Sequence, residues 1–312
     1  MFSFSVLFSV LTAVAESPED RAIAYLAREV PRWSADNKCF SCHNNGDGAR
    51  ALFTAHRLKY PLPAKTLDGT TAWLAKPETW HNNGGDVQYK DEGLSRIQFA
   101  AALAEAIDAG LVTDRKPLLR AAELVASGQG KDGCWQGEFK GDVGSPVTYG
   151  IPLATGQARR ILQQADPKKY KTAIARADEW LLKAPVQRVV DAAAVLLVLD
   201  GLKGDGATAK RRQCLETIRK GESKDGGWGP YVNSPPEVFD TALVILAACR
   251  LSDDKELKTM LRRGRTYLIA NQKQDGSWPE TTRPTGADSY AQRISTTGWA
   301  TLALLATPSR TD

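Results

Sequence analysis

The chain has 312 residues, 42% hydrophobic and 25% charged, with a formal net charge of +5. That length and apolar content suffice to bury a full core without disulfide or metal staples. The basic excess is scattered in short clusters such as 168–171 and 262–265, not in the long block that a nucleic-acid-binding surface presents, so no nucleic-acid partner is expected.

Residues 1–15 form an apolar run, with Phe2, Phe4, Leu7, Phe8 and Leu11, that ends in Ala13-Val14-Ala15 before an acidic stretch. The run reads as a secretory signal peptide cut before Glu16, which leaves 16–312 as a single domain. Its first part carries no Lys or Arg, so an interfacial anchor and a truncated signal are the competing readings. No later stretch reaches the roughly 18 apolar residues of a membrane span, and no transmembrane segment is expected. Export to the periplasm is the expected location.

A helical pattern over 22–30 is followed by Cys39-Phe40-Ser41-Cys42-His43, in a chain with five cysteines and three histidines. At those frequencies C-x-x-C-H arises by chance about once in a thousand such chains, and it is the arrangement of a c-type haem attachment site. Two thiols add across the haem vinyl groups, and the adjacent imidazole becomes an axial iron ligand. Export agrees with this, because a free C-x-x-C dithiol persists mainly in reducing compartments. Two other chemistries use the same atoms: a zinc site of Cys39, Cys42, His43 and His81, or a Cys39 to Cys42 disulfide.

The rest of the chain reads as helix pairs. The pattern over 22–30 pairs with 49–58, and 71–75 pairs with 97–107 around Trp80. His43-Asn44-Asn45-Gly46-Asp47 is echoed by His81-Asn82-Asn83-Gly84-Gly85-Asp86 in the second connection. Equivalent connections of neighbouring repeats share a rim, so His81 is the candidate sixth iron ligand, with a loop hydrogen-bonding role as its alternative. Met260 falls on a distant outer helix, and His56 lies at the end of the first inner helix. Three later loops are Asp132-Gly133-Cys134-Trp135, Asp225-Gly226-Gly227-Trp228 and Asp275-Gly276-Ser277-Trp278, each between a mixed helix and a more apolar one. A further pair, 175–182 with 189–199, has Ala184-Pro185 in place of that loop. The result is six helix pairs at an average spacing of about 48 residues. Asp and Gly supply a tight turn with positive φ, and Trp fills the wedge between hairpins. The second helices, such as 241–248, are apolar all round and should be buried on both sides. Cys134, Cys214 and Cys249 are expected to be small buried apolar residues.

Gly264-x-x-Tyr267-Leu268-x-x-x-Gln272-x-x-x-Gly276-x-Trp278 is similar to the QW repeat of the squalene-hopene cyclase and oxidosqualene cyclase group. The stretch 294–305 looks like the inner helix that follows such a repeat. The resemblance covers most of 18–307 and is strongest in the last two repeats. It implies an all-α fold, the α6/α6 toroid shared by terpenoid cyclases, protein prenyltransferase β subunits and thioester-domain proteins. The family's chemical motifs are not matched: neither Asp-x-Asp-Asp nor Asp-Cys-Thr-Ala-Glu occurs, and Cys-Gly-Glu-Gln is absent. The pair Asp253-Asp254 lies in a polar turn, where helix capping is expected. No histidine follows His81, which removes the zinc set of a prenyltransferase. Asp191 and Asp240, at the starts of two inner helices, are candidates for capping or for substrate binding and general acid work. Tyr149, Arg96, Gln98 and Thr297 occupy comparable positions in other repeats.

These readings lead to an exported toroid with one haem c and a redox or ligand-binding role. Its partner would be a redox protein or a small apolar or glycan ligand. The rivals are a cavity enzyme of isoprenoid cyclase or polysaccharide lyase type and a non-catalytic binding scaffold with a zinc or disulfide site.

Overall fold

A computed structural model describes residues 16–82, 91–137, 143–199, 201–251, 254–283, 286 and 288–307. The signal-peptide stretch, residues 83–86 of the second histidine loop and Asp253 lie outside the described residues. The helices are α1 (Pro18–Asn37), α2 (Ala49–Arg57), α3 (Asp68–Leu74), α4 (Glu92–Asp108), α5 (Lys116–Ala126) and α6 (Gly150–Ala165). They continue with α7 (Lys171–Lys183), α8 (Val189–Leu199), α9 (Asp205–Lys220), α10 (Val238–Ala248), α11 (Lys255–Ala270) and α12 (Tyr290–Ala306).

Each even-numbered helix packs against the next even-numbered one, and α12 returns to α2, so the inner helices close a ring with the odd-numbered helices outside. This is the α6/α6 toroid, and every expected helix forms. Composition sets the layers: α8 and α10 are buried on nearly every face, whereas α9 buries one stripe that includes Ala207, Cys214 and Ile218. Helix ends follow local chemistry. Ser17 and Asp20 form a capping box ahead of Pro18, and Asp254 caps α11 by accepting from Leu257 N at 3.1 Å. Among the described residues no helix is long and apolar enough to cross a membrane.

The Asp-Gly-x-Trp loops bolt each repeat to the next. The indoles of Trp135, Trp228 and Trp278 donate to the carbonyls of Val125, Ile218 and Leu268 at 2.7, 2.8 and 2.7 Å. Gln129 donates to Ala173 O on α7 at 2.8 Å, and Gln272 donates to Pro18 O on α1 at 2.9 Å, so the last loop closes the ring. In the fifth repeat Glu222 takes this place, accepting from Arg263 Nε and Nη2, each at 2.7 Å. The fourth repeat reverses the polarity: Lys210 on α9 reaches back to Ala184 O at 2.8 Å.

Gly276 has φ +92, and a Cβ there would lie 2.1 Å from Arg21 O. Gly276→Ala should therefore cost about 3 kcal/mol in urea unfolding, from left-handed strain plus the clash. Gly286, at φ +70 with nothing within 4 Å, isolates the strain alone, and Gly286→Ala should cost about 1 kcal/mol. Equal losses would show that the loop is not seated on α1.

Candidate functional site

The C-x-x-C-H motif opens the first inner helix. Ser41 Oγ accepts from His43 N at 3.1 Å and Asn44 N at 3.5 Å, capping a π-helical turn over Cys42–Gly48 that runs directly into α2. Cys42 and His43 are thus helical, and not in the loop where the repeat register puts them. The wide turn is pinned by buried amides. Asn44 Nδ2 donates to Glu29 O at 2.9 Å and Tyr290 Oη at 3.0 Å, while Asn45 Nδ2 donates to Thr70 Oγ1 at 2.8 Å. Gly46 allows the turn to approach α4, where a Cβ would meet Gln98 Cβ at 3.2 Å. Such π-turns recur at functional sites.

Cys39 and Cys42 are both free thiols, so no disulfide joins them. Burial pushes the Cys42 thiol up to about 12, and the nearby Asp47 adds to the effect. Phe40, between the two cysteines in sequence, stacks on Trp73 with ring centroids 4.4 Å apart. Trp73 in turn contacts Trp80 at 6.0 Å and Phe99 at 4.6 Å. His81 follows Trp80 in the 3-10 turn Pro77–Asn82 and is exposed, so the aromatic stack ties its turn to the motif.

His43 is half-buried, and its Nδ1 lies 3.0 Å from Ser295 Oγ on α12. Burial pushes the imidazole down to about 4, so it is neutral at physiological pH. Among the described residues Nε2 makes no hydrogen bond. Two unpaired thiols at C-x-x-C spacing beside a neutral imidazole with one nitrogen already engaged form a donor set that fits a thioether-linked haem. The zinc arrangement of Cys39, Cys42, His43 and His81 is not gathered: among the described residues no three His, Cys, Asp or Glu side chains group around a metal position.

The low pKa of His43 predicts a pH dependence for the haem-free protein. Between about 4 and 6.5 the unfolded chain protonates this histidine and the folded chain does not, so stability falls as pH drops through that window. The full effect is about 3 kcal/mol, at 1.36 kcal/mol per pKa unit. Urea unfolding at pH 7.5 and 4.5 should show this loss in wild type and not in His43→Gln. Equal slopes would mean that His43 is not a buried neutral group.

Below His43 the toroid axis is occupied by a polar cluster set in aromatic rings. Asp47 is 1% exposed and accepts from Tyr149 Oη, from Gln98 Nε2 at 3.2 Å and from the Ser295 hydroxyl. Burial pushes its carboxyl above the usual range, opposed by Arg50 and these hydrogen bonds. Arg50 lies over the Trp299 ring at 4.2 Å, and Trp299 meets Tyr149 and Phe239 edge-on, each at 5.6 Å. Tyr149 has φ +59, a strained backbone for a bulky residue. Sequence reasoning singled out Tyr149 and Gln98 but missed Asp47, Arg50 and Ser295. The one available signal was Asp47 itself, which closes the echoed His-Asn-Asn-Gly run.

Asp191 and Asp240 are each the third residue of their helices, α8 and α10, and neither is a capping residue. Each has its own arginine. Asp191 pairs with Arg188 one turn back. Asp240, fully buried, accepts from Arg283 Nη2 at 3.0 and 3.1 Å, and burial raises its carboxyl to about 7 against the pull of Arg283. Arg283 also pairs with Glu237 at 2.5 Å and donates to Gly144 O at 2.8 Å, linking the sixth, fifth and third repeats. Arg96 pairs with Glu92 at 3.0 Å, and Thr297 Oγ1 accepts from Trp278 N at 3.3 Å.

Residues 187–312 match the family described as squalene-hopene cyclase C-terminal domain. A comparison with curated protein sequences finds no match. Among solved structures, the type II terpene cyclase MstE from Scytonema aligns with a TM-score of 0.61 at 11% identity, over 92% of this chain and 96% of that one. A variant of MstE in complex with geranylgeranyl dihydroxybenzoate, its substrate, aligns with a TM-score of 0.61 at 11% identity, over 93% and 97%. The ent-copalyl diphosphate synthase from Streptomyces platensis aligns at 0.58 and 18% identity, over 83% of this chain and 50% of that one. At these identities the likeness is one of fold: the chain has the toroid of the type II terpene cyclases.

Proposed function

We propose that this toroid, terpene-cyclase-like in its fold, is exported and carries one covalently attached haem c at the head of its first inner helix, for redox or ligand-binding work. The observation that carries the reading is the C-x-x-C-H run with its atoms in the state attachment requires: both thiols free, and the His43 ring neutral with Nδ1 engaged. Cys39 and Cys42 would hold the group through thioethers, His43 would ligate its iron, and His81 would supply a second nitrogen ligand. When bound, the haem supplies one-electron chemistry at iron. The chain's own residues do the rest. Ser295 orients the His43 ring, and Phe40, Trp73, Trp80 and Phe99 form an aromatic stack beside the attachment motif. A bis-histidine site favours low-potential electron transfer to a redox partner, whereas an open site favours binding of a small ligand.

Protein from a bacterial host with haem-maturation machinery should show a Soret band that is lost in the Cys39→Ala/Cys42→Ala double variant. Colourless wild-type protein would overturn the reading.

A second reading, a cavity enzyme, is favoured by Asp47. A carboxyl pushed above its usual range beside Tyr149, near the Trp299 and Phe239 rings, is an acid in aromatic surroundings, as proton-initiated cyclisation of a prenylated substrate asks. The MstE complex with geranylgeranyl dihydroxybenzoate makes an apolar prenylated compound the substrate class for this reading. Turnover of that compound, lost in Asp47→Asn, would support it, and no turnover by wild type would count against it.

A further inference from the structure

A metal-ligating imidazole takes its orientation and basicity from whatever accepts its second ring N–H. Here the group at Nδ1 of His43 is the hydroxyl of Ser295, 252 residues further along the chain, on the last inner helix. Ser295 is fully buried, and its hydroxyl also bonds the Asp47 carboxyl. Asp47 is at the accepting end of each of its other contacts, since the Tyr149 phenol and the Gln98 amide both donate to it. The Ser295 proton goes the same way, which leaves an oxygen lone pair facing His43. Nδ1 is then the donor, and the lone pair of the imidazole lies on Nε2, the nitrogen free of hydrogen bonds to described residues.

We infer that Ser295 and Asp47 are positioning residues of the His43 ligand, forming a hydroxyl-carboxyl relay that fixes its tautomer and strengthens its electron donation to iron. The inference rests on the haem attachment proposed above. The relay exists only when the ring is closed, because Ser295 comes from the sixth repeat, Asp47 from the first and Tyr149 from the third. Tyr149 reaches Asp47 from a backbone held at φ +59, a conformation that persists where surrounding contacts over-determine it. A more strongly donating ligand stabilises the oxidised iron, so the relay lowers the reduction potential.

The test compares wild type with Ser295→Ala, Ser295→Thr and the size-conserving Asp47→Asn. Intact mass first establishes that each protein carries haem. Among haem-bearing proteins, Ser295→Ala and Asp47→Asn should shift the midpoint potential to more positive values, and Ser295→Thr, which keeps the hydroxyl, should restore it. In haem-free protein, 15N NMR of His43 should give the Nδ1–H tautomer in wild type and a tautomer mixture in Ser295→Ala. Unshifted potentials in haem-bearing variants, or an Nε2–H tautomer in wild type, would overturn the relay and leave attachment standing. A wild type without the haem mass would overturn attachment and the relay together.

Discussion

Trp278→Ala should lower the unfolding free energy by about 4 kcal/mol, the range for a fully buried tryptophan. The side chain is 0% exposed, and its loss leaves a cavity and removes the indole hydrogen bond to the Leu268 carbonyl. It also loosens the loop in which Gln272 donates to Pro18 O and Arg21 donates to Gln272 Oε1 at 2.6 Å. Hydrogen exchange should therefore quicken along α1 as well as in the sixth repeat. Trp80→Ala is the comparison: the Trp80 indole N–H has no hydrogen-bond partner among the described residues, so its removal should cost less and leave α1 protected. Equal losses from the two variants would show that the Trp278 loop does not hold the ring shut.

Glu19→Ala should cost a similar amount, about 4 kcal/mol, because it strands a buried guanidinium. Arg265 Nη2 lies 2.5 Å from Glu19 Oε1, and Arg265 Nη1 donates to Leu304 O at 3.0 Å, so one side chain ties α1, α11 and α12 together at the seam. Replacing both partners, Glu19→Leu with Arg265→Met, should recover most of the loss, since the main penalty is the uncompensated charge and not the missing attraction. Chemical denaturation of the two single variants and the double variant measures this. A double variant no more stable than Glu19→Ala would mean that the ion pair itself sustains the seam. The exposed pair Lys183 and Glu179, with side chains 74% and 66% accessible, should show no measurable coupling in the same cycle.

The toroid was legible because its devices are local. Each Asp-Gly-x-Trp loop carries its turn glycine, its wedge and its indole donor within a few residues, and the inner helices α8 and α10 advertise two-sided burial by composition. The reversed bolt of the fourth repeat was not legible, since Lys210 reaching back to Ala184 O looks like any lysine on an outer helix. The same division runs through the site. Cys39, Cys42 and His43 stand out in the sequence because their C-x-x-C-H spacing is the one haem attachment uses. The helical state of Cys42 and His43 does not, because a π-turn carries no periodic signature and Gly46 and Gly48 look like loop residues. Asp47, Arg50 and Ser295 acquire meaning only when repeats one, three and six meet at the axis. Asp240 lies in the first turn of α10, but the arginine that holds it, Arg283, comes from 43 residues away.

The central claim is tested most directly by the intact mass of protein purified from a haem-maturing host after acid and organic extraction, which removes haem not covalently bound. The account predicts the chain mass, less its first 15 residues, plus one haem, and the bare mass in the Cys39→Ala/Cys42→Ala variant. A bare mass in wild type would contradict it.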